Sequence, residues 1–330
     1  MHYDVFNGDA DGIIALVQLR LAQPKSSTLI TGVKRDISLL KQVAVEDAES
    51  VTVLDISMEK NSDALTALLA NNVEIFYVDH HRTGEVPESE KLTSLINTDA
   101  NTCTSLLMNE HLNGQYVNWA ITAAFGDNMN QSAIALAQQQ GLSEHQQAQL
   151  KALGIYINYN GYGRTIDDLH IAPTELYKAC LAFADPLDLI NAPNSIFTQL
   201  ASAYEADMAQ AESAEVLADN TICKVVLLAD EAWSRRVSGV FGNELANQSP
   251  DKAHAVLTLN EKLTLNETTD LDIDATYTVS VRAPLNNKQG ADKICIQFPT
   301  GGGRAGAAGI NQLPKEMLGK FISTVSEYYQ

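Results

Sequence analysis

The stretch NGDADGIIAL, residues 7–16, sets two carboxylates, Asp9 and Asp11, one residue apart between a strand-like start and a helix-like apolar run. Like charges this close repel unless water or a cation holds them, so the pair reads either as a solvated turn or as part of a metal site. The β-branched run VTVLDIS (51–57) ends on Asp55, and VEIFYVDHH (73–81) runs straight into Asp79, His80 and His81. AAFGDNMN (123–130) places Asp127 after an apolar run. Carboxylates joined by an imidazole make an oxygen-rich donor set. That set suits Mn2+ better than structural zinc, which favours sulfur and nitrogen. Each piece also has a plain reading: DHHRTGE as a hydrogen-bonded surface loop, and GD as a helix C-terminal turn.

The elements that must carry these groups follow from periodicity. Residues 2–6, 28–33, 51–57, 73–81 and 91–97 read as strands, and 12–21, 36–48 and 61–72 as helices, the last capped by Asn61 or Ser62. Alternating strands and helices predict βαβ units and a parallel sheet. Asp9, Asp11, Asp55, Asp79, His80 and His81 then fall at the carboxyl ends of three strands, the edge where open α/β sheets bind ligands. From 102 to about 184 the pattern is helical, broken by a loop over 158–169, and a long helix over 195–218 reads as a connector. Strands return at 224–230, 254–260, 277–283 and 293–298, and a helix over 314–330 closes the chain. The expected organisation is α/β throughout. A metal-binding domain spans 1–190, a helical connector 191–219 and a smaller α/β domain 220–330.

Composition narrows the partners. The chain has 330 residues, 45% of them hydrophobic, with a mean hydropathy of -0.10. That fits a soluble globular protein, and no apolar run reaches the roughly 18 residues of a membrane span. With 41 acidic against 22 basic residues the net charge is -19, and no basic stripe compensates, which disfavours a long nucleic acid. The cysteines at 103, 180, 223 and 295 are dispersed and form no C-x-x-C pair. This argues against a disulfide framework or zinc ribbon. The first residues, MHYDVFNGDADG, lack the basic start and apolar core of a secretory signal, so the expectation is a cytoplasmic protein.

The ordered set DADG (9–12), LD (54–55), DHH (79–81) and GD (126–127) resembles the four N-terminal motifs of the DHH phosphoesterases. SVR (280–282) and GGGRAGAAG (301–309) resemble the S-x-R strand and GGGHxxAAG signature of the DHHA1 domain. The resemblance spans nearly the whole chain. It implies a Rossmann-like DHH domain, a long connector helix and a DHHA1 domain, with the active-site cleft between the domains. It implies a phosphodiesterase with two Mn2+ ions, for which Mg2+ or Co2+ could substitute. Asp9, Asp11, Asp55, His80 and Asp127 match the metal ligands, with Asp55 bridging, and Asp79 supports the site. By the same resemblance, His81 would contact a phosphate oxygen. Arg282, Arg304 and the glycines Gly301, Gly302 and Gly303 match the substrate grip, since a glycine backbone can approach a phosphate or base closely.

Two departures stand out. Where many members have a metal-binding histidine this chain has Val5, and where RecJ-like members have an aspartate it has Asn7, a weaker neutral ligand. The GGGH histidine is Arg304, whose planar guanidinium suits a phosphate or a guanine edge. The expected substrate is a short linear 5'-phosphorylated oligoribonucleotide, above all pGpG hydrolysed to GMP in cyclic di-GMP turnover. Other expectations are a general nanoRNase or 3'-phosphoadenosine phosphatase, a cyclic-dinucleotide phosphodiesterase, or a catalytically degenerate nucleotide-binding regulator. No membrane partner is expected, and a homodimer is compatible with the sequence.

Overall fold

The computed structural model describes residues 1–99, 101–265 and 271–330. Their contacts divide into two compact units, Met1–Ala203 and Tyr204–Gln330.

The first unit is built on a fully parallel five-stranded sheet. Its strands are β1 (His2–Phe6), β2 (Thr28–Ile30), β3 (Ser50–Leu54), β4 (Glu74–Asp79) and β5 (Leu92–Ile96), in the spatial order β2-β1-β3-β4-β5. Side chains alternate across a strand, and the two faces bury different sets. Val5, Val53 and Tyr77 pack on one face with Leu65 and Leu68 of α2 (Ser62–Ala70). Phe6, Leu54 and Val78 pack on the other against α1 (Ala10–Ala22) and a helical layer. That layer comprises α3 (Thr104–His111), α4 (Val117–Gly126), α5 (Asn130–Gln139), α6 (Glu144–Asn160), α7 (Pro173–Leu181) and α8 (Pro186–Asn191). α1 is buried along nearly its whole length, which explains an apolar run with no polar face. At the amino end of the sheet a buried ion pair joins Asp4 to Arg20, with His2, Ser27 and Thr52 in the same network.

Helix α9 (Ile196–Ala211) runs on into the second unit. Its six-stranded sheet has the order β10-β11-β9-β8-β7-β6. The strands are β6 (Glu215–Asp219), β7 (Cys223–Leu228), β8 (Ala253–Leu265), β9 (Leu271–Arg282), β10 (Gly301–Gly303) and β11 (Ala307–Pro314). Only β7 and β8 run parallel; every other pairing is antiparallel. Phe321 and Val325 of α12 (Leu318–Tyr328) complete the core with Ala291, Ile294 and Cys295 of α11 (Ala291–Cys295).

Several local expectations change. Residues 36–48 form two short 3-10 turns rather than a helix. Asn61 does not cap α2 with its side chain. Its amide instead ties down that segment, accepting from Leu40 N and donating to the Ile37 carbonyl. The helix expected over 195–218 stops at Ala211, because residues 215–219 pair with β7 and bring Leu217 and Ala218 onto the second core. KICIQF, read as a strand, contains the end of α11, whose buried residues 291, 294 and 295 have helical spacing. AGAAG, read as helix-like, enters strand β11, which pairs on both sides. There a Cβ on Gly309 would stand 2.8 Å from the Val279 carbonyl oxygen, so the small residues allow the strands to close up. Helix α10 (Ala232–Gln248), which buries Val237, Val240, Phe241 and Leu245, was not expected from the sequence.

Candidate functional site

At the carboxyl edge of the first sheet, three strand ends and three helix ends meet. β1 leads into the loop of residues 7–9, where Asp9 caps α1: its Oδ1 accepts from Asp11 N (3.0 Å) and Gly12 N (3.1 Å). A short acidic cap is favoured at this position, because the first amides of a helix lack partners. Asp11 lies in the first turn of α1 and points its carboxylate at the start of α3. Its two oxygens accept from Thr104 N and Ser105 N, each at 2.7 Å. One helix thus presents a carboxylate to the N-terminus of another. Asp55 follows β3 with φ of 60°, the left-handed region that non-glycine residues seldom adopt. It accepts from the Thr104 hydroxyl at 3.0 Å.

β4 ends on Asp79, and His80 and His81 follow. The His80 Nδ1–H donates to the Thr102 carbonyl at 3.0 Å, since a carbonyl can only accept. In the neutral ring this leaves the Nε2 lone pair facing the carboxylates: Asp55 Oδ1 at 3.5 Å, Asp11 Oδ2 at 3.8 Å and Asp127 Oδ2 at 4.0 Å. A backbone carbonyl on one nitrogen that fixes the other as a ligand is a common arrangement behind metal-binding histidines. His81 Nδ1 donates to Asp79 Oδ1 at 2.7 Å. The second Asp79 oxygen is buried without a protein partner. The ligating atoms of Asp55, His80 and His81 all lie within 4.8 Å of one another.

Asp127 caps the C-terminus of α4 and is brought in by close helix packing. A Cβ on Gly126 would stand 2.7 Å from Ala10 Cβ and 2.7 Å from the Gly154 carbonyl oxygen, so only glycine lets α1, α4 and α6 approach this closely.

Lys34 was not singled out from the sequence, yet it lies inside the cluster. Its Nζ is 2.6 Å from Asp9 Oδ2, 2.8 Å from Asn158 Oδ1 and 3.7 Å from Asp127 Oδ1, and 5.4 Å from the Tyr162 ring centroid. Only the fold reveals it, since its partners are 25 and 124 residues away along the chain. Asn7 is buried nearby with both ends of its amide engaged: Oδ1 accepts from Asp9 N and Nδ2 donates to the Lys34 carbonyl.

The electrostatics are those of concentrated negative charge. Burial, reinforced by Asp11, Asp9, Asp79 and Asp127, pushes the Asp55 carboxyl well above the ordinary range. Burial also raises Asp127, with Asp11 and Asp9 adding to it and Lys34 opposing. Asp9 behaves oppositely. Burial pushes it up, but the Lys34 ammonium, with the amide of Gly12, brings it down to about 2. His81, whose side chain is 40% exposed, is lowered by burial but raised overall by the bonded Asp79 carboxylate. A buried set of carboxylates with a preset imidazole lone pair fits a hard-to-borderline divalent cation, which would neutralise charges that otherwise repel.

The first unit therefore brings Asp9, Asp11, Asp55, Asp79, His80, His81 and Asp127 to one edge. The remaining expected site residues lie in the second unit. Gly301–Gly303 form β10, and Arg304 is exposed at the turn into β11, where Arg304 N donates to the Ala307 carbonyl. Arg282 ends β9, with its guanidinium donating to Asn243, Ser280 and the Gly239 carbonyl of α10.

No family model and no curated protein matches the chain. Solved structures do. Exonuclease RecJ bound to manganese is 16% identical, with 99% of this chain and 89% of that one covered and a TM-score of 0.59. RecJ from Thermus thermophilus in complex with Mn2+ is 16% identical with a TM-score of 0.58; 99% of this chain is covered, but it spans only 52% of that one. The pGpG-specific phosphodiesterase PggH from Vibrio cholerae is 10% identical, with 100% and 99% covered and a TM-score of 0.51. The likeness at these identities is one of fold, and the chain has the α/β fold of the DHH/DHHA1 proteins RecJ and PggH.

Proposed function

We propose that the chain is a divalent-metal-dependent phosphodiesterase of short linear 5'-phosphorylated oligoribonucleotides, with pGpG, cleaved to GMP, as the preferred substrate. The observation that carries this reading is the burial of Asp11, Asp55 and His80 around one point, with Asp127 and Asp9 adjoining, at the ligand-binding edge of the sheet. The likeness to RecJ and PggH supports it. Asp9, Asp11, Asp55, His80 and Asp127 are the residues that would hold the metal, Mn2+ by preference. When bound, a divalent cation supplies a Lewis acid for the phosphoryl oxygen and makes water a nucleophile near neutral pH.

The chain's own residues supply the rest. Thr102 fixes the His80 ring, and the amides of Thr104 and Ser105 aim Asp11. Asp79 holds His81 by Nδ1, and against the opposing effect of burial its carboxylate raises the imidazole's pKa. A partly exposed ring held in this way, when protonated, is suited to donate to a phosphate oxygen. In the second unit, Arg304 offers a planar donor fork on an exposed turn, suited to a terminal phosphate or a guanine edge. The acidic surface favours small substrates over long strands. Among the described residues no helix is long and apolar enough to cross a membrane.

A second reading has its own observation. The Lys34 ammonium among the carboxylates and the neutral Asn7 would also suit a nucleotide-binding regulator without turnover. The test is to strip the protein with chelator, restore Mn2+, and follow pGpG, pApA, cyclic di-GMP, pyrophosphate and a long single strand by chromatography. Rapid conversion of pGpG to GMP with slow pApA supports the proposal. Equal loss of all dinucleotides means a general nanoRNase. Intact but bound pGpG means the regulator.

A further inference from the structure

Two oxygen-lined positions adjoin in the first unit and share Asp127. One centres on His80 Nε2, with Asp55 Oδ1, Asp11 Oδ2 and Asp127 Oδ2 at 3.5–4.0 Å. The other centres on Lys34 Nζ, with Asp9 Oδ2 at 2.6 Å, Asn158 Oδ1 at 2.8 Å and Asp127 Oδ1 at 3.7 Å. The first position presents an imidazole nitrogen, oriented by the Thr102 carbonyl, together with carboxylates, a donor set that suits a divalent ion. The second already contains a cation.

We propose that the Lys34 ammonium stands in for a second divalent ion, so that the chain works with one metal ion, at the His80 position, and a built-in positive charge bridging Asp9 and Asp127. This rests on the phosphodiesterase reading above and departs from the two-ion site that the motifs imply.

Three features hold the lysine there. Its backbone N–H donates to the Gly161 carbonyl at 2.8 Å, and its carbonyl accepts from Asn7 Nδ2 at 3.1 Å, so the segment is anchored to both walls of the site. Its ammonium donates two hydrogen bonds, to Asp9 and Asn158, and Asp127 adds a longer ion pair at 3.7 Å. The Tyr162 ring adds a cation–π contact at 5.4 Å. The opposite wall is consistent. Asn7 brings no charge, and its amide is spent on Asp9 N and on Lys34 itself. A second divalent ion on the same Asp9 and Asp127 oxygens would face a fixed positive charge a few ångströms away, which the neutral Asn7 does not offset. An ammonium at that point can still stabilise negative charge gathering on a phosphoryl group, which is the electrostatic part of a second ion's role.

The test counts ions. Chelator-stripped full-length protein is titrated with Mn2+; bound metal per chain is measured by equilibrium dialysis with elemental analysis, and electron paramagnetic resonance reports whether the ions are isolated or coupled. The expected result is one ion per chain with the hyperfine signal of isolated Mn2+. Lys34→Met, which keeps length without charge, is expected to bind two ions with a coupled, broadened spectrum, and Lys34→Arg to bind one. Two coupled ions in the wild type would overturn the proposal while leaving the phosphodiesterase reading intact. A single ion in Lys34→Met would also overturn it, since the lysine would not then be what excludes the second. No bound ion in any form would overturn the phosphodiesterase reading itself. If Lys34→Met does not fold, the wild-type count and spectrum decide alone.

Discussion

Asp55→Asn separates the cost of the site from its use. In the absence of metal Asp55 sits among carboxylates that all face His80 Nε2, at 3.5 Å for Asp55 and 3.8 and 4.0 Å for Asp11 and Asp127. Their oxygens lie within 4.0 Å of one point, and for a separation on the order of 6 Å and an effective dielectric of about 20 a like-charged pair costs about 3 kcal/mol. Asparagine removes that repulsion and keeps the acceptor for the Thr104 hydroxyl. It also tolerates the left-handed backbone at φ of 60°, where alanine would cost about 1 kcal/mol. The metal-free variant is therefore expected to be more stable than the metal-free wild type by up to about 3 kcal/mol, raising Tm by roughly 6–10 °C for a unit of this size. The pH slope has a defined sign. A carboxyl raised in the folded state holds its proton more tightly than the unfolded chain does, so the metal-free wild type loses stability as pH rises above the ordinary carboxylate range. The variant loses less. Saturating Mn2+ should reverse the order, because an ion at about 1,000 times its Kd adds about 4.1 kcal/mol to the form that binds it, more than the repulsion removed. Turnover should fall by more than about 100-fold. Thermal melts in chelator and in Mn2+ read the stabilities, and the chromatographic assay reads the turnover. A metal-free Asp55→Asn no more stable than wild type would refute the claim that the site is held under electrostatic strain for a cation.

Gly126→Val should cost about 1–3 kcal/mol and displace Asp127, lowering metal affinity with stability, because its Cβ would meet Ala10 at 2.7 Å; calorimetric Mn2+ titration checks the affinity. Arg20→Met should cost about 3–5 kcal/mol by leaving Asp4 buried without its partner, with metal binding in the surviving folded fraction unchanged; urea melts measure it. Burial raises Asp4, but bonds from His2, Arg20 and Ser27 bring it to about 2. Its contribution of about 2 kcal/mol is complete above about pH 4 and is lost as pH falls through about 2, and Asp4→Asn should flatten that acid limb. Arg304→Ala should raise KM for pGpG about tenfold or more with little change in kcat; unchanged KM and base preference would remove Arg304 as a selector.

Much of the metal edge was legible because strand ends are local. β3 and β4 are short runs rich in β-branched and aromatic residues that lead directly into Asp55 and into DHH, and β1 ends three residues before Asp9, so type, boundary and chemistry coincide in a few residues. The two helix termini around Asp11 were not legible: that Thr104 and Ser105 amides hold a carboxylate 93 and 94 residues away is a property of packing. Lys34 was missed for the same reason, being a single lysine in a loop without motif spacing. In the second unit the misreadings were of short segments. The alternation in KICIQF imitates a strand, while Ala and Gly in AGAAG imitate a helix until two neighbouring strands pair with it. α10 escaped notice because Gly239, Gly242 and the adjacent Arg235 and Arg236 interrupt its apolar stripe; Arg236 is in fact buried against Asp207.

The most direct measurement is anomalous diffraction at the manganese edge from crystals of the full-length protein grown with Mn2+. A peak is expected at about 2.0–2.3 Å from His80 Nε2 and from oxygens of Asp55 and Asp11. A peak elsewhere, or none at a Mn2+ concentration that saturates binding in solution, would contradict this placement of the metal.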